Sequence, residues 1–157
     1  MRKLILLLSM LGFAGSLRAA DPLIGSWRLD VSKSSYWALM QTTVKELSTG
    51  YRDLGDGMVE VSMAGMRADG SAISGKAVFP RQGGSVKNQQ GTASEDISSI
   101  LTVIDPYNFY LTILAHGKQV MFYNSTISKD GKRKQDRYKA TDEAGKIHEG
   151  VEISDRQ

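Results

Sequence analysis

The 157-residue chain has no cysteine and only two histidines. Without thiols it can hold no structural zinc of the Cys-rich kind, and the lipid anchor that bacterial lipoproteins attach to a cysteine is closed to it. His116 sits in the tight turn Ala115-His-Gly-Lys118, and His148 falls in the last segment of strand character, where alternation with Ile147 turns it outward. Neither has a second histidine or a carboxylate at ligand spacing, so no metal, haem or other cofactor is implied. The sequence also lacks Gly-x-Ser-x-Gly, a phosphate loop, His-Glu-x-x-His and a dinucleotide fingerprint. Hydrolase, kinase, metalloprotease and nicotinamide chemistry therefore lose their usual support, and the chain reads as a non-enzyme. No repeat of fixed period, no heptads and no second domain are visible.

The front of the chain carries its clearest signal. Arg2 and Lys3 form a basic start, Leu4 to Ala14 an apolar run, and Ser16 to Ala20 end in small residues, the pattern of a secretion signal over residues 1–20. The apolar run is too short to span a bilayer, which takes about 20 residues. The expectation is an exported protein, secreted or periplasmic, whose mature domain is 21–157. Cleavage would remove three of the 20 basic residues and none of the 17 acidic ones, leaving 17 of each. The basic balance of the full chain is thus no argument for nucleic-acid binding, which needs a basic patch on the folded domain. A mature chain of this length makes one domain that buries roughly two thirds of its unfolded surface without disulfides.

Turn signals then recur to the end: Gly55-Asp56-Gly57, Asp69-Gly70, Gly83-Gly84, Asp105-Pro106-Tyr107-Asn108, His116-Gly117, Asp130-Gly131 and Glu143-Ala144-Gly145. Segments of strand length lie between them, rich in β-branched and aromatic residues. Val59, Val61 and Met63 alternate with Glu60, Ser62 and Ala64, and Phe109, Leu111 and Ile113 with Tyr110, Thr112 and Leu114. One face of each goes in and the other out. Strands are predicted near 24–31, 42–48, 58–67, 71–79, 97–104, 108–115, 119–128, 132–140 and 146–153. Ser32 to Gln41 has a capping serine and no glycine or proline, which predicts a short helical segment after the first strand. Pro80 to Ser94 reads as a long polar loop around at most a brief strand at Ser85 to Lys87. An all-β fold of eight or nine short strands joined by sequential hairpins favours an antiparallel up-and-down barrel over a β-sandwich, because closure removes exposed sheet edges.

Gly25-Ser26-Trp27 on the first strand resembles the Gly-x-Trp signature of lipocalins and related calycin barrels. The longer run Gly25 to Tyr36, with Gly55-Asp-Gly57, Ala68-Asp-Gly70 and Ser128-Lys-Asp-Gly131, is similar to a group of small secreted bacterial proteins with lipocalin-like barrels and no assigned activity. The resemblance implies that Trp27 plugs one barrel end beside Gly25 and that a late basic residue covers its ring, Arg156 or, from the preceding strand, Arg137. A cation over an indole contributes about 0.5–2 kcal/mol.

Candidate interior groups come from the last two strands. Glu149 shares a face with Ile147, Val151 and Ile153, and an inward carboxylate needs a partner or a raised pKa. Asp136 and Tyr138 join it if Ala140 points inward. The other reading pairs Glu149 with a lysine or arginine across the ladder. Trp37 and Met40, with Leu39, are placed to cap the barrel mouth, and Met58, Met63, Met66 and Met121 to line the interior. Lys129, Lys132, Arg133, Lys134, Arg137 and Lys139 crowd one hairpin, either as a solvated edge or as a weak site for an anionic envelope surface. Three functions remain open: a carrier of a small, mainly apolar ligand held by Glu149 or Tyr138; an interaction module with a filled barrel; and a barrel isomerase or cyclase using Glu149 and Tyr138 as acid and base.

Overall fold

The computed structural model describes residues 21–35, 44–91 and 97–157. Trp37 and Met40, like the bulk of the predicted helix, lie outside these residues. What is described of that segment is one 3-10 turn, Val31–Lys33, capped by the Asp30 carboxylate, which accepts from the Ser32 and Lys33 amides.

Eleven antiparallel strands form one sheet: β1 (Gly25–Leu29), β2 (Val44–Gly55), β3 (Met58–Arg67), β4 (Ala72–Pro80), β5 (Gly84–Ser85), β6 (Lys87–Gly91), β7 (Ile97–Asp105), β8 (Asn108–Ala115), β9 (Lys118–Ile127), β10 (Arg133–Thr141) and β11 (Ile147–Arg156). Their order is β5-β7-β8-β9-β10-β11-β1-β2-β3-β4-β6. The two ends of this sheet, β5 and β6, are successive pieces of one segment separated by Val86 alone. β5 pairs with β7 and β6 with β4, so the segment bridges the gap between them and the sheet closes on itself as a barrel.

Nine predicted strands became eleven because the polar stretch after Pro80 supplies both closing pieces. β2 also runs seven residues past its predicted end. Thr49 to Gly55 holds two glycines and an aspartate and reads locally as a turn, but it pairs with Met58 to Met63 along an unbroken neighbour. Tertiary pairing outweighs local propensity here. His116 and Gly117 both take positive φ, 50° and 73°, the two-residue hairpin turn between β8 and β9. Gly65 is needed for a different reason: a Cβ there would lie 2.2 Å from the Glu46 carbonyl, where the β2–β3 register slips.

Strand alternation carries the inside of the barrel around the register. Trp27 neighbours Thr49, Thr49 neighbours Met63, and Met63 neighbours Gly75. On the other side Leu101 neighbours Leu111, Leu111 neighbours Tyr123, Tyr123 neighbours Tyr138, and Tyr138 neighbours Gly150. One end is packed dry by Leu23, Trp27, Val59, Phe79, Leu101, Phe109 and Ile127. A second buried group, Leu29, Tyr138 and Ala140, lies along the wall farther up.

Candidate functional site: the barrel interior

At the packed end Trp27 is 1% exposed and its indole N–H donates to the Leu23 carbonyl at 3.0 Å. The Arg156 guanidinium lies 4.5 Å from the centre of its ring and donates to the carbonyls of Gly131, Ile24 and Pro22. Arg156, and not Arg137, therefore covers the tryptophan; Arg137 points outward. Gly25 sits at φ 136°, and a Cβ there would lie 2.5 Å from an Arg156 nitrogen, so the glycine makes room for the cation.

Away from this end the inward residues stay reachable by solvent. Val59 is 2% exposed, but Met63, two alternations along the same face of β3, is 41% exposed. Inward Val61, Ile73, Leu111, Ile113, Met121 and Tyr123 are half-buried. Among the described residues, the barrel is packed at the tryptophan end, and above it the inward side chains keep accessible surface on an apolar wall.

Polar groups line one side of that lumen. Register places Lys134, Asp136, Tyr138 and Ala140 inward on β10, opposite Ser154, Glu152, Gly150 and His148 on β11. Lys134 and Asp136 are 7% and 4% exposed and form an ion pair. Burial works against the lysine's charge, but Asp136 beside it outweighs that and holds the ammonium above the ordinary lysine range. Tyr51, from β2, reaches the same cluster: burial pushes its hydroxyl up, with Lys134, Asp136 and Glu152 all acting on it. The second oxygen of Asp136, Oδ1, is buried with no hydrogen-bond partner. Glu152 sits directly across the ladder from it, and its carboxyl is pushed up to about 7, first by burial and then by the Asp136 charge.

These positions correct three expectations from the sequence. Glu149 does not face the interior. It lies opposite Lys139 on the outer surface and bonds to it at 2.7 Å, both side chains 64% exposed. The apolar residues of its face, Ile147 (62% exposed), Val151 and Ile153, are the outer ones, and His148 is on the inner face, bonded to Asp142 at 2.8 Å. Glu149 and Tyr138 thus lie on opposite faces of the sheet, and no acid–base pair forms between them. Lys134, in turn, leaves the basic surface for the interior. Of the remaining five cations, Arg133 pairs with Asp155 at 2.9 Å, Lys139 with Glu149, and Lys129 lies 4.6 Å from the Tyr107 ring centre. Arg133 and Arg137 line a shallow outer groove of about 410 Å³ with Asn124, Thr126, Ser128 and Gln135.

No family model and no curated protein matches the chain. Among solved structures, the wild-type fluorescent protein UnaG is similar over 87% of this chain and 98% of its own, at 9% identity and a TM-score of 0.59. A single-site variant of UnaG is similar over 97% of its own length, at the same identity and a TM-score of 0.61. The fold is a lipocalin-like β-barrel. In such a barrel the interior is the one place where side chains from every strand converge, and here Glu152 was missed by sequence reasoning. The signal for it was available in the hairpin: its register pairs even-numbered residues of β10 with even-numbered residues of β11, so an inward Ala140 requires an inward Glu152 and an outward Glu149.

Proposed function

We propose that this protein, exported and freed of residues 1–20, is a carrier that binds a small, mainly apolar molecule inside its barrel. The observation that carries the reading is the gradient along β3, from Val59, sealed at one end, to Met63, inward-facing and 41% exposed. An apolar wall that water can reach is what a small-molecule site requires, with a few convergent polar groups to orient the guest. Tyr138, Asp136 and Glu152 supply them; Glu149 does not. Among the described residues, the inward side chains above the packed end keep accessible surface, which favours a carrier over a filled interaction module. The outer groove with Arg133 and Arg137 supports weak adhesion to an anionic envelope surface as a secondary role.

Nile red, a neutral dye that brightens in apolar surroundings, tests the carrier reading. The mature protein is expected to bind it, and Met63→Trp to weaken binding about tenfold, equal to 1.4 kcal/mol, by filling the lumen. The melting temperature should shift by no more than a few degrees, because Met63 is 41% exposed. Dye binding that is absent, or unaltered by Met63→Trp, would overturn the assignment.

A further inference from the structure

We propose that the guest carries a positively charged nitrogen, an amine on an apolar body, and that the Glu152 carboxylate is its counter-ion; this rests on the carrier reading above. The inference follows from a count of charge and hydrogen-bond donors in the interior. The described residues place three charged groups together on the inner face, Lys134, Asp136 and Glu152. Lys134 is already committed to Asp136 and faces Tyr51, so it is not free to receive an anionic head group. Asp136 keeps one oxygen with no donor at all. Glu152, opposite it, is half-buried, keeps accessible surface and makes no hydrogen bond or ion pair with the described residues. The other charges that the register places on the inner face lie elsewhere along it: Arg156 is held by three carbonyls and the Trp27 ring, His148 by Asp142, Arg67 by the Ser71 hydroxyl and the Ala72 carbonyl, and Asp53 by the Gly55 amide.

This cluster therefore holds two acids against one cation. A carboxylate guest seated there would meet two like charges beside a cation that is already paired. An alcohol would satisfy one acceptor and no charge. An ammonium brings positive charge and three N–H donors, enough to bond Glu152. The half-buried Tyr123 ring, its centre 5.8 Å from that of the buried Tyr138, adds aromatic surface on the same inner face, which favours a cation further.

The test uses three probes of one chain length, octylamine, 1-octanol and octanoic acid, each displacing Nile red from the mature protein at pH 8. The amine is expected to displace the dye at a concentration about tenfold lower than either of the others, as one charge-assisted hydrogen bond predicts. Glu152→Gln should remove that preference, with circular dichroism like that of the wild type showing that the variant is folded. Octanoic acid or 1-octanol matching the amine, or an amine preference that survives Glu152→Gln, would overturn the proposal while leaving the carrier reading in place. Failure of Nile red and all three probes to bind would instead remove the carrier reading, and the amine with it.

Discussion

Replacing Lys134 by methionine is expected to destabilise the fold by about 3–5 kcal/mol at neutral pH, the usual consequence of removing one partner of a buried ion pair. Methionine fills much of the space of the lysine stem, so packing alone does not account for a loss of that size. What is left behind does. Asp136, 4% exposed, loses its counter-ion while one of its oxygens already lacks a donor and Glu152 faces it across the ladder. Tyr51 loses its cationic neighbour as well. One consequence separates this cause from a packing defect. The double variant Lys134→Met with Asp136→Leu should recover most of the loss, since an apolar pair of similar volume removes both charges of the pair together. Urea denaturation of the wild type and the two variants at pH 7 measures the effect. A single-variant loss below about 1 kcal/mol would mean that the pair is solvated, as an exposed pair of that worth is.

Glu152→Gln is expected to do the opposite and stabilise the protein, by an amount that depends on pH. The folded protein holds this carboxyl at about 7, above its ordinary value of 4.5. Below about pH 4.5 the group is protonated in both folded and unfolded chains and contributes no difference. Between about 4.5 and 7 the folded state binds the extra proton, so wild-type stability falls as pH rises, and above 7 the full penalty of a buried charge is present. The shift corresponds to about 3 kcal/mol, reduced to the extent that water in the lumen screens the charge. Glutamine is neutral throughout, so the variant should match wild type at pH 4 and exceed it by up to about 3 kcal/mol at pH 8. The neighbouring groups that set the wild-type value are Asp136 and Lys134 on β10, with Tyr51 facing them from β2, and none is altered by the substitution. Urea midpoints across pH 4–8 measure the difference; a difference that does not vary with pH would place Glu152 in ordinary solvent. A buried acid that weakens its own fold is a candidate functional group, and the amine proposal gives it a role.

Most of the barrel was legible in the sequence because its hairpins are local. The turns at Asp56-Gly57, Asp69-Gly70 and His116-Gly117 fall where the sequence places them, and the inward faces of β3 and β8 follow the alternation of Val59, Val61 and Met63 and of Phe109, Leu111 and Ile113. The closing segment was not legible, since Gly84–Gly91 has no periodicity of its own and becomes strand by completing the ladders of β4 and β7. The site was read with the wrong parity for a definite reason. Alternation assigns the apolar face of a strand to the core, but β11 wears its isoleucines outside, with Val151 bridged to Ser35, and turns Gly150, Glu152, Ser154 and Arg156 inward. In a strand that lines a polar wall the hydrophobic pattern points the wrong way, and only the pairing partner fixes the face.

The central claim is that the open lumen holds a small molecule, and native mass spectrometry of the mature protein taken from a bacterial periplasm tests it most directly. The account predicts one added mass per chain, lost on denaturation and missing from Met63→Trp. Identical native and denatured masses for the wild-type protein would contradict it.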